Sequence, residues 1–240
     1  MKSKTHRLDR FICKNSVFST AETRLLIAQK RILLNEAVAS SIQQQVTQFT
    51  HVVLDGICLQ DNKPLYIMLN KPKEVLSATK DSQHTTVLDL IQHPRKSELH
   101  LVGRLDLNTT GLILLTNDGA WSRTVCLPET KLVKIYEVTV SKPLTDEYIT
   151  VFREGVYFAY ENITTQPASL EILSEYTARL SLIEGKYHQV KRMFGFFQNR
   201  VLALHRISVG QIALGDLEEG QSRLLTLQET TLPRIQLCQT

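Results

Sequence analysis

The stretch GRLDLNTTGLILLTNDG, residues 103–119, constrains this chain more than any other. Its apolar half, LILLT, is a continuous run of strand length bounded by polar turn residues, the pattern of a buried strand. Just ahead stand Asn108, Thr109, Thr110 and Gly111. Ahead of those is Asp106, between two leucines and two residues after Arg104. Aspartate is poor in strands and helix interiors and common in turns, where its carboxylate bonds nearby backbone groups. The local pattern leaves two readings of Asp106: the pivot of a turn entering a buried strand, or a carboxylate held there for chemistry.

The flanking chain alternates strands with a few helices. LYIMLNKP reads as a strand stopped by proline, and KIYEVTV alternates before ending at SKP. TDEYITVFREGV reads as a helix capped by Thr145 and closed at Gly155. SLEIL, ARLSLIEG and RVLALHRISVG are further strands, and YHQVKRMFGFF is a basic helix. Long-range antiparallel pairing with scattered helices predicts an α+β fold. An apolar share of 42% against 22% charged residues supports a real core. No apolar run approaches the roughly 18 residues of a membrane span, and the basic N-terminus lacks the apolar stretch of a secretory signal. Cys13, Cys58, Cys126 and Cys238 are scattered, with no C-x-x-C and no histidine pair at ligand spacing. Free thiols in a reducing, cytoplasmic setting and no structural zinc are expected.

Charge is distributed unevenly. Residues 1–56 hold eight Lys/Arg and four Asp/Glu, so the whole net charge of +4 lies there and the remaining 20 of each sign cancel. A basic module for an anionic polymer and a solvated charged face both fit that excess. In RLDRFICK, Arg7, Arg10 and Lys14 fall on one helical stripe opposite Leu8, Phe11 and Ile12. STAETRLLIAQK opens with Ser19 and Glu22 at capping-box spacing, and Ala21, Leu25 and Ala28 follow as an apolar stripe. RILLNEAVAS then reads as two short strands around Asn35-Glu36, HVVLDG as another strand, and QDNKP as a linker.

Over roughly residues 5–56 this layout resembles the S4 RNA-binding domain, in its R-L-D-x-F opening, Ser-capped second helix and V-x-L-D-G close. The resemblance implies an α-L module at residues 1–60, linker included, with Arg7, Arg10, Lys14, Arg24, Lys30 and Arg31 facing RNA. Glu36 stands where many members carry glycine, which predicts a looser hairpin turn.

Residues 61–240 resemble the pseudouridine synthases, in the branch that carries an N-terminal S4 domain. The resemblance rests on LNKP, G-R-L-D-x-x-T-x-G-L-x-L-x-T-N-D-G, KIYEVTV and EGKYHQVKRMF, in that order. It implies a catalytic domain on a mixed, mainly antiparallel sheet. Asp106 matches the family's catalytic aspartate, Tyr136 its active-site tyrosine, and Lys191 the basic partner of the aspartate. Arg104 matches the arginine that fills the space of an extruded base, while Lys71, His188 and Arg192 match RNA contacts. Glu74 stands where relatives often have glycine, which leaves that loop's shape open. GKYHQVKRMF is most similar to members acting on small-subunit rRNA, in the small ribosomal subunit or its assembly intermediate. Large-subunit rRNA is the near alternative. A non-catalytic ribosome-assembly factor has no use for the Asp106, Tyr136 and Lys191 trio, and a hydrolase lacks a second acid–base pair. The isomerisation is redox-neutral and adds no atoms, so the resemblance implies no cofactor and no metal. A monomer is expected.

Overall fold

The computed structural model describes residues 5–231, so Cys238 lies outside the described part. The chain forms two compact units that divide between Leu65 and Tyr66, except that Asp118–Ala120 group with the first. The first begins with β1 (His6–Arg7), α1 (Leu8–Asn15) and α2 (Thr20–Ala28), and continues through β2 (Ile32–Leu34), β3 (Ala37–Val38), β4 (Gln45–Val46), β5 (Val52–Leu54) and β6 (Ile57–Gln60). Four of these strands form an antiparallel sheet in the order β3-β2-β5-β6, and β1 pairs with β4. Leu8, Phe11, Ile12, Leu26, Ile32 and Val52 close the core between helices and sheet.

Three details differ from the sequence reading. Arg7 precedes the first helix in extended backbone and clamps Asp9 at 2.7 Å, so the helical stripe holds only Arg10 and Lys14. In α2 the buried positions are Thr23 and Leu26, with Ile27 partly covered, while Leu25 is 62% exposed. The helical period allows either stripe. The Thr23 hydroxyl donates to the Ser19 carbonyl, which satisfies its polar atom and lets the residue face the core. The Asn35-Glu36 turn is tight rather than loose. Both residues have positive φ, 47° and 70°, as a two-residue type I′ turn requires, and Glu36 takes the position glycine usually fills. The Ser19–Glu22 capping box forms as expected.

The second unit comprises β7 (Tyr66–Lys71), β8 (His100–Val102), β9 (Thr110–Thr116), α3 (Gly119–Cys126), β10 (Lys134–Val140), α4 (Asp146–Glu154), β11 (Tyr157–Phe158), β12 (Ile163–Thr164), β13 (Ser169–Ser174), β14 (Thr177–Leu182), α5 (Gln189–Gly195), β15 (Val201–Val209), β16 (Ile212–Ala213), β17 (Ser222–Leu224) and α6 (Leu227–Thr230). Nine strands make one sheet in the order β13-β14-β10-β15-β9-β7-β17, with β8 on β9 and β16 on β15. Its pairings are antiparallel except β9 with β15, so the expected mixed α+β sheet is present. Thr145 occupies the cap position of α4 but makes no side-chain cap bond. The fifth helix starts at Gln189, after His188 in a left-handed conformation, rather than at Tyr187. Among the described residues no helix is long and apolar enough to cross a membrane.

Two packing features fix helix α5 and the start of β9. Helix α5 is anchored by Val190, Met193 and Phe194, with the Phe194 ring edge-on to Phe152 of α4 at 5.1 Å. Asn199, just beyond α5, accepts from the Ser141 and Lys142 N–H groups and donates to the Lys142 carbonyl and the Tyr148 hydroxyl. The parallel pair sets Gly111 of β9 beside Arg206 of β15. Gly111 has φ +101°, and a Cβ there would lie 2.3 Å from the Arg206 carbonyl oxygen. Only glycine fits that approach. Gly111→Ala should therefore destabilise the unit by about 3 kcal/mol, from overpacking and backbone strain together. Chemical denaturation checks this, and a variant within about 0.5 kcal/mol of the parent, the range of a neutral surface change, would show that the strands part without cost.

Candidate active site

Asp106 sits in the loop between β8 and β9, and three supports fix that loop from below. Lys71, at the end of β7 and 0% exposed, sends its ammonium to the carbonyls of Pro72, Leu107 and Thr109, each at 2.9 Å. The Ser77 hydroxyl donates to the Leu105 carbonyl at 2.6 Å and accepts the Leu105 N–H at 3.0 Å. The Glu74 N–H bonds the Leu107 carbonyl, with Glu74 itself at φ 61°. Glutamate thus takes the left-handed backbone where relatives often have glycine. Lys71 cannot reach RNA, because its polar end is consumed inside the protein. It is a brace of the Asp106 loop, which corrects the contact expected from sequence.

Above the loop, the Asp106 carboxylate meets two side chains from around the start of α5. Lys191 Nζ lies 2.7 Å from one oxygen, and His188 Nε2 lies 3.4 Å from the other. His188 reaches in because its backbone is left-handed, φ 49°, and its ring stacks on Tyr187 at 3.9 Å. Below this turn, buried Gln189 donates to Glu184 at 2.6 Å and accepts the Lys186 N–H. Lys186 also pairs with Glu184 at 2.8 Å. Asp106 therefore makes an ion pair, not the backbone bonds of an isolated Asx turn. Arg192, one residue on, points away. Its guanidinium forks Glu161 and lies 3.7 Å from the centre of the Phe158 ring, so it is engaged rather than free for RNA.

A cavity of about 240 Å³ opens at Asp106, and Arg104, Tyr136 and Lys191 line it too. Tyr136 is 8% exposed and belongs to the wall. The sequence reading missed Lys134 and Arg206, which also line this cavity, and the bracing residues Ser77, Glu184 and Gln189. Lys134 carried a signal, two residues before Tyr136 on the same strand face. Ser77 carried none, since its role depends on a contact 28 residues away. Burial pushes the Lys134 ammonium below the ordinary lysine value, and the Arg206 charge adds to the fall.

The cations proposed from sequence in the first unit divide in two. Arg7 and Arg31 hold Asp9 and Asp55, at 2.7 and 2.6 Å. Arg10, Lys14, Arg24 and Lys30 are exposed, with no ion pair among the described residues.

Burial pushes the Lys71 ammonium down to about 8, against the pull of the Asp106 and Glu219 charges. Lys71→Met leaves three carbonyls without a donor and should cost about 3 kcal/mol at neutral pH. The unfolded chain keeps the lysine proton up to its ordinary 10.5, so between 8 and 10.5 it binds more protons than the folded chain. Wild-type stability relative to Lys71→Met should accordingly grow as pH rises through that window. Denaturant titrations at both ends check it, and a constant difference would mean that Lys71 titrates alike in both states.

Comparisons with known proteins identify the family. A family model described as RNA pseudouridylate synthase matches residues 65–195. Three similar chains are each called ribosomal small subunit pseudouridine synthase A. The one from Pseudomonas aeruginosa is 45% identical over 225 residues, covering 93% of this chain and 98% of that protein. Those from Pasteurella multocida and Escherichia coli are 37% and 39% identical, with 93% of this chain and 97% of each relative covered. A crystal structure of a pseudouridylate synthase is 37% identical and superposes with a TM-score of 0.68, over 93% of this chain and 97% of that one. A lysine-paired aspartate on a braced loop, in a cavity walled by a tyrosine, occurs here in a chain that belongs to the RNA pseudouridylate synthase family.

Proposed function

We propose that this enzyme isomerises one uridine of small-subunit rRNA to pseudouridine, with Asp106 as the group that meets the ribose. The observation that carries the reading is the 2.7 Å contact between Asp106 and Lys191 at a cavity walled by Tyr136. Support for the RNA class comes from relatives called small-subunit enzymes, similar along 93% of this chain.

The reaction replaces the bond from uracil N1 to ribose C1′ with one from C5 to C1′. That atom is unreachable while the nucleotide is stacked, so the uridine must leave its helix or loop. Exposed Arg104 stands beside Asp106 and takes the space the base vacates. A carboxylate acts as nucleophile or base only when charged. Lys191 pairs with Asp106 and aims it, and Lys71 and Ser77 hold the loop so that no reorganisation is needed during the reaction. Tyr136 offers a ring face to the base.

The first unit serves in this proposal as an S4 RNA-binding domain. Arg10, Lys14, Arg24 and Lys30 are the cations left for phosphates once Arg7 and Arg31 are paired. The enzyme works as a monomer in the cytoplasm, where cysteines spaced as here stay reduced.

Asp106→Asn should abolish pseudouridine formation while RNA affinity stays within a few-fold, because size and hydrogen bonding persist without the charge. Mapping pseudouridines in small- and large-subunit rRNA, with wild type and variant, tests both substrate and residue. Turnover by the variant near the wild-type rate returns Asp106 to a turn, and modification confined to the large subunit overturns the substrate.

Replacing Arg10, Lys14, Arg24 and Lys30 together by Gln should weaken RNA binding. It should also flatten the dependence of log affinity on log salt by up to about 3.6, at roughly 0.7–0.9 per phosphate contact. The rate at saturating RNA should not change. An unaltered salt slope would show that these four cations do not face phosphate.

A further inference from the structure

The floor of the catalytic cavity holds two cations that the steps assigned to Asp106, Lys191 and Tyr136 do not use. Lys134 and Tyr136 lie two residues apart on β10 and so face the same side of the sheet. Arg206 of β15 is the cross-strand partner of Tyr136, and Leu182 of β14 is that of Lys134. All four line the cavity beside Asp106. Arg206 is 4% exposed, and its Nε donates to the Leu112 carbonyl at 2.7 Å. Among the described residues Lys134 has only a long bond, 3.4 Å, to the Leu132 carbonyl. Neither pairs with a carboxylate among the described residues. Glu184, whose charge reaches Lys134, is already bonded by Lys186, Gln189 and the Gln166 N–H. Thr109 lines the same cavity, and its buried hydroxyl has no hydrogen-bond partner among the described residues.

Two neighbouring cations with little compensation are costly on a sheet surface unless something negative comes to them. What comes is decided by the connectivity of the substrate. The ribose must reach Asp106, and it carries the two phosphodiester links by which the RNA leaves. Those links stay at the mouth, among the exposed loop residues. The base has one tether, to C1′, and is the part of the nucleotide free to enter the floor.

We infer that Lys134 and Arg206 hold the oxygens of the extruded uracil and stabilise the negative charge that the base carries while it is detached from the ribose. This inference rests on the pseudouridine synthase reading of the site and adds to it the place of the leaving base. When the bond from N1 to C1′ breaks, its electron pair leaves with N1, and the charge spreads to O2 and O4. The base then turns, C5 bonds C1′, the proton on C5 is lost, and N1 takes one up. Atoms and charge balance without a co-reactant. Ammonium and guanidinium groups fixed beside the oxygens are worth most while the charge exists, between the two bond changes. Tyr136, Leu182 and Leu204 supply the faces between which a planar ring can turn.

The test is single-turnover kinetics at saturating RNA, with uridine or 5-fluorouridine at the target position. Fluorine withdraws electrons from the ring, so a detached fluorouracil needs less help to carry the charge. Lys134→Met keeps the apolar stem. It should slow consumption of uridine by about 100-fold, the scale of a lost donor to a developing anion. The same substitution should slow 5-fluorouridine by well under about 10-fold, because less of that charge is left to stabilise. RNA affinity should be unchanged, and Lys134→Arg should recover most of the rate. Thermal unfolding of each variant confirms that it is folded. Equal losses on both substrates overturn the inference. So does a defect confined to affinity and its salt dependence, which would make these cations a phosphate site. If wild type consumes neither RNA, the functional proposal fails instead, so the two failures are distinct.

Discussion

The site depends on one buried ammonium. Lys71 ends strand β7 fully shielded from solvent, and an ion so placed is several kcal/mol too costly unless its donors are met and its charge is offset. Three loop carbonyls meet the donors, and Asp106 provides part of the offset. The requirement runs both ways. Because Pro72, Leu107 and Thr109 must turn their carbonyls to one point, the backbone that carries Asp106 has little freedom left. Ser77 closes the other side of the same loop through both polar groups of Leu105. The carboxylate is thus presented by backbone whose shape is settled before any substrate arrives.

The sheet divides the labour of the site. Strands β10, β14 and β15 contribute the floor and wall, namely Lys134, Leu182 and Arg206 with Tyr136, where neighbouring strands hold side chains in register. The loops before β9 and α5 contribute the rim, where Asp106, Arg104 and His188 keep access to solvent. The parallel pairing of β9 with β15 joins the two sets. It lays the start of β9 against Arg206 and leaves room there for glycine alone. Helix α5 delivers Lys191 to the rim at fixed height because aromatic packing behind it and Asn199 beyond it do not give.

The cations show where reading a chain by its charges stops. Of those expected at RNA, Lys71 is interior, Arg192 is held by Glu161 and Phe158, and Arg7 and Arg31 hold acids of their own unit. A count of lysines and arginines does not distinguish a free cation from one that is already paired, since the partner lies at any distance along the chain. Lys134 and Arg206 are the reverse case. Within a strand pattern they look like ordinary edge residues, yet they lie buried or half-buried without a carboxylate among the described residues.

What the sequence determined by itself was local or motif-bound. The buried run after Asp106, the Ser19–Glu22 cap, the helix closed at Gly155, the α+β class and the linear order of Asp106, Tyr136 and Lys191 all follow from short-range periodicity and turn chemistry or from one long motif. The tertiary structure alone decided which of two equally spaced stripes α2 buries, that Glu36 and Glu74 accept left-handed backbone, and that Lys71 points inward. The pairing of Lys191 with Asp106, 85 residues apart, was implied by the motif, and the fold supplied its 2.7 Å geometry. The physical reason is the same throughout. Periodicity and turn propensity act over a few residues, whereas burial, ion pairing and the satisfaction of polar groups depend on neighbours that only the folded chain supplies.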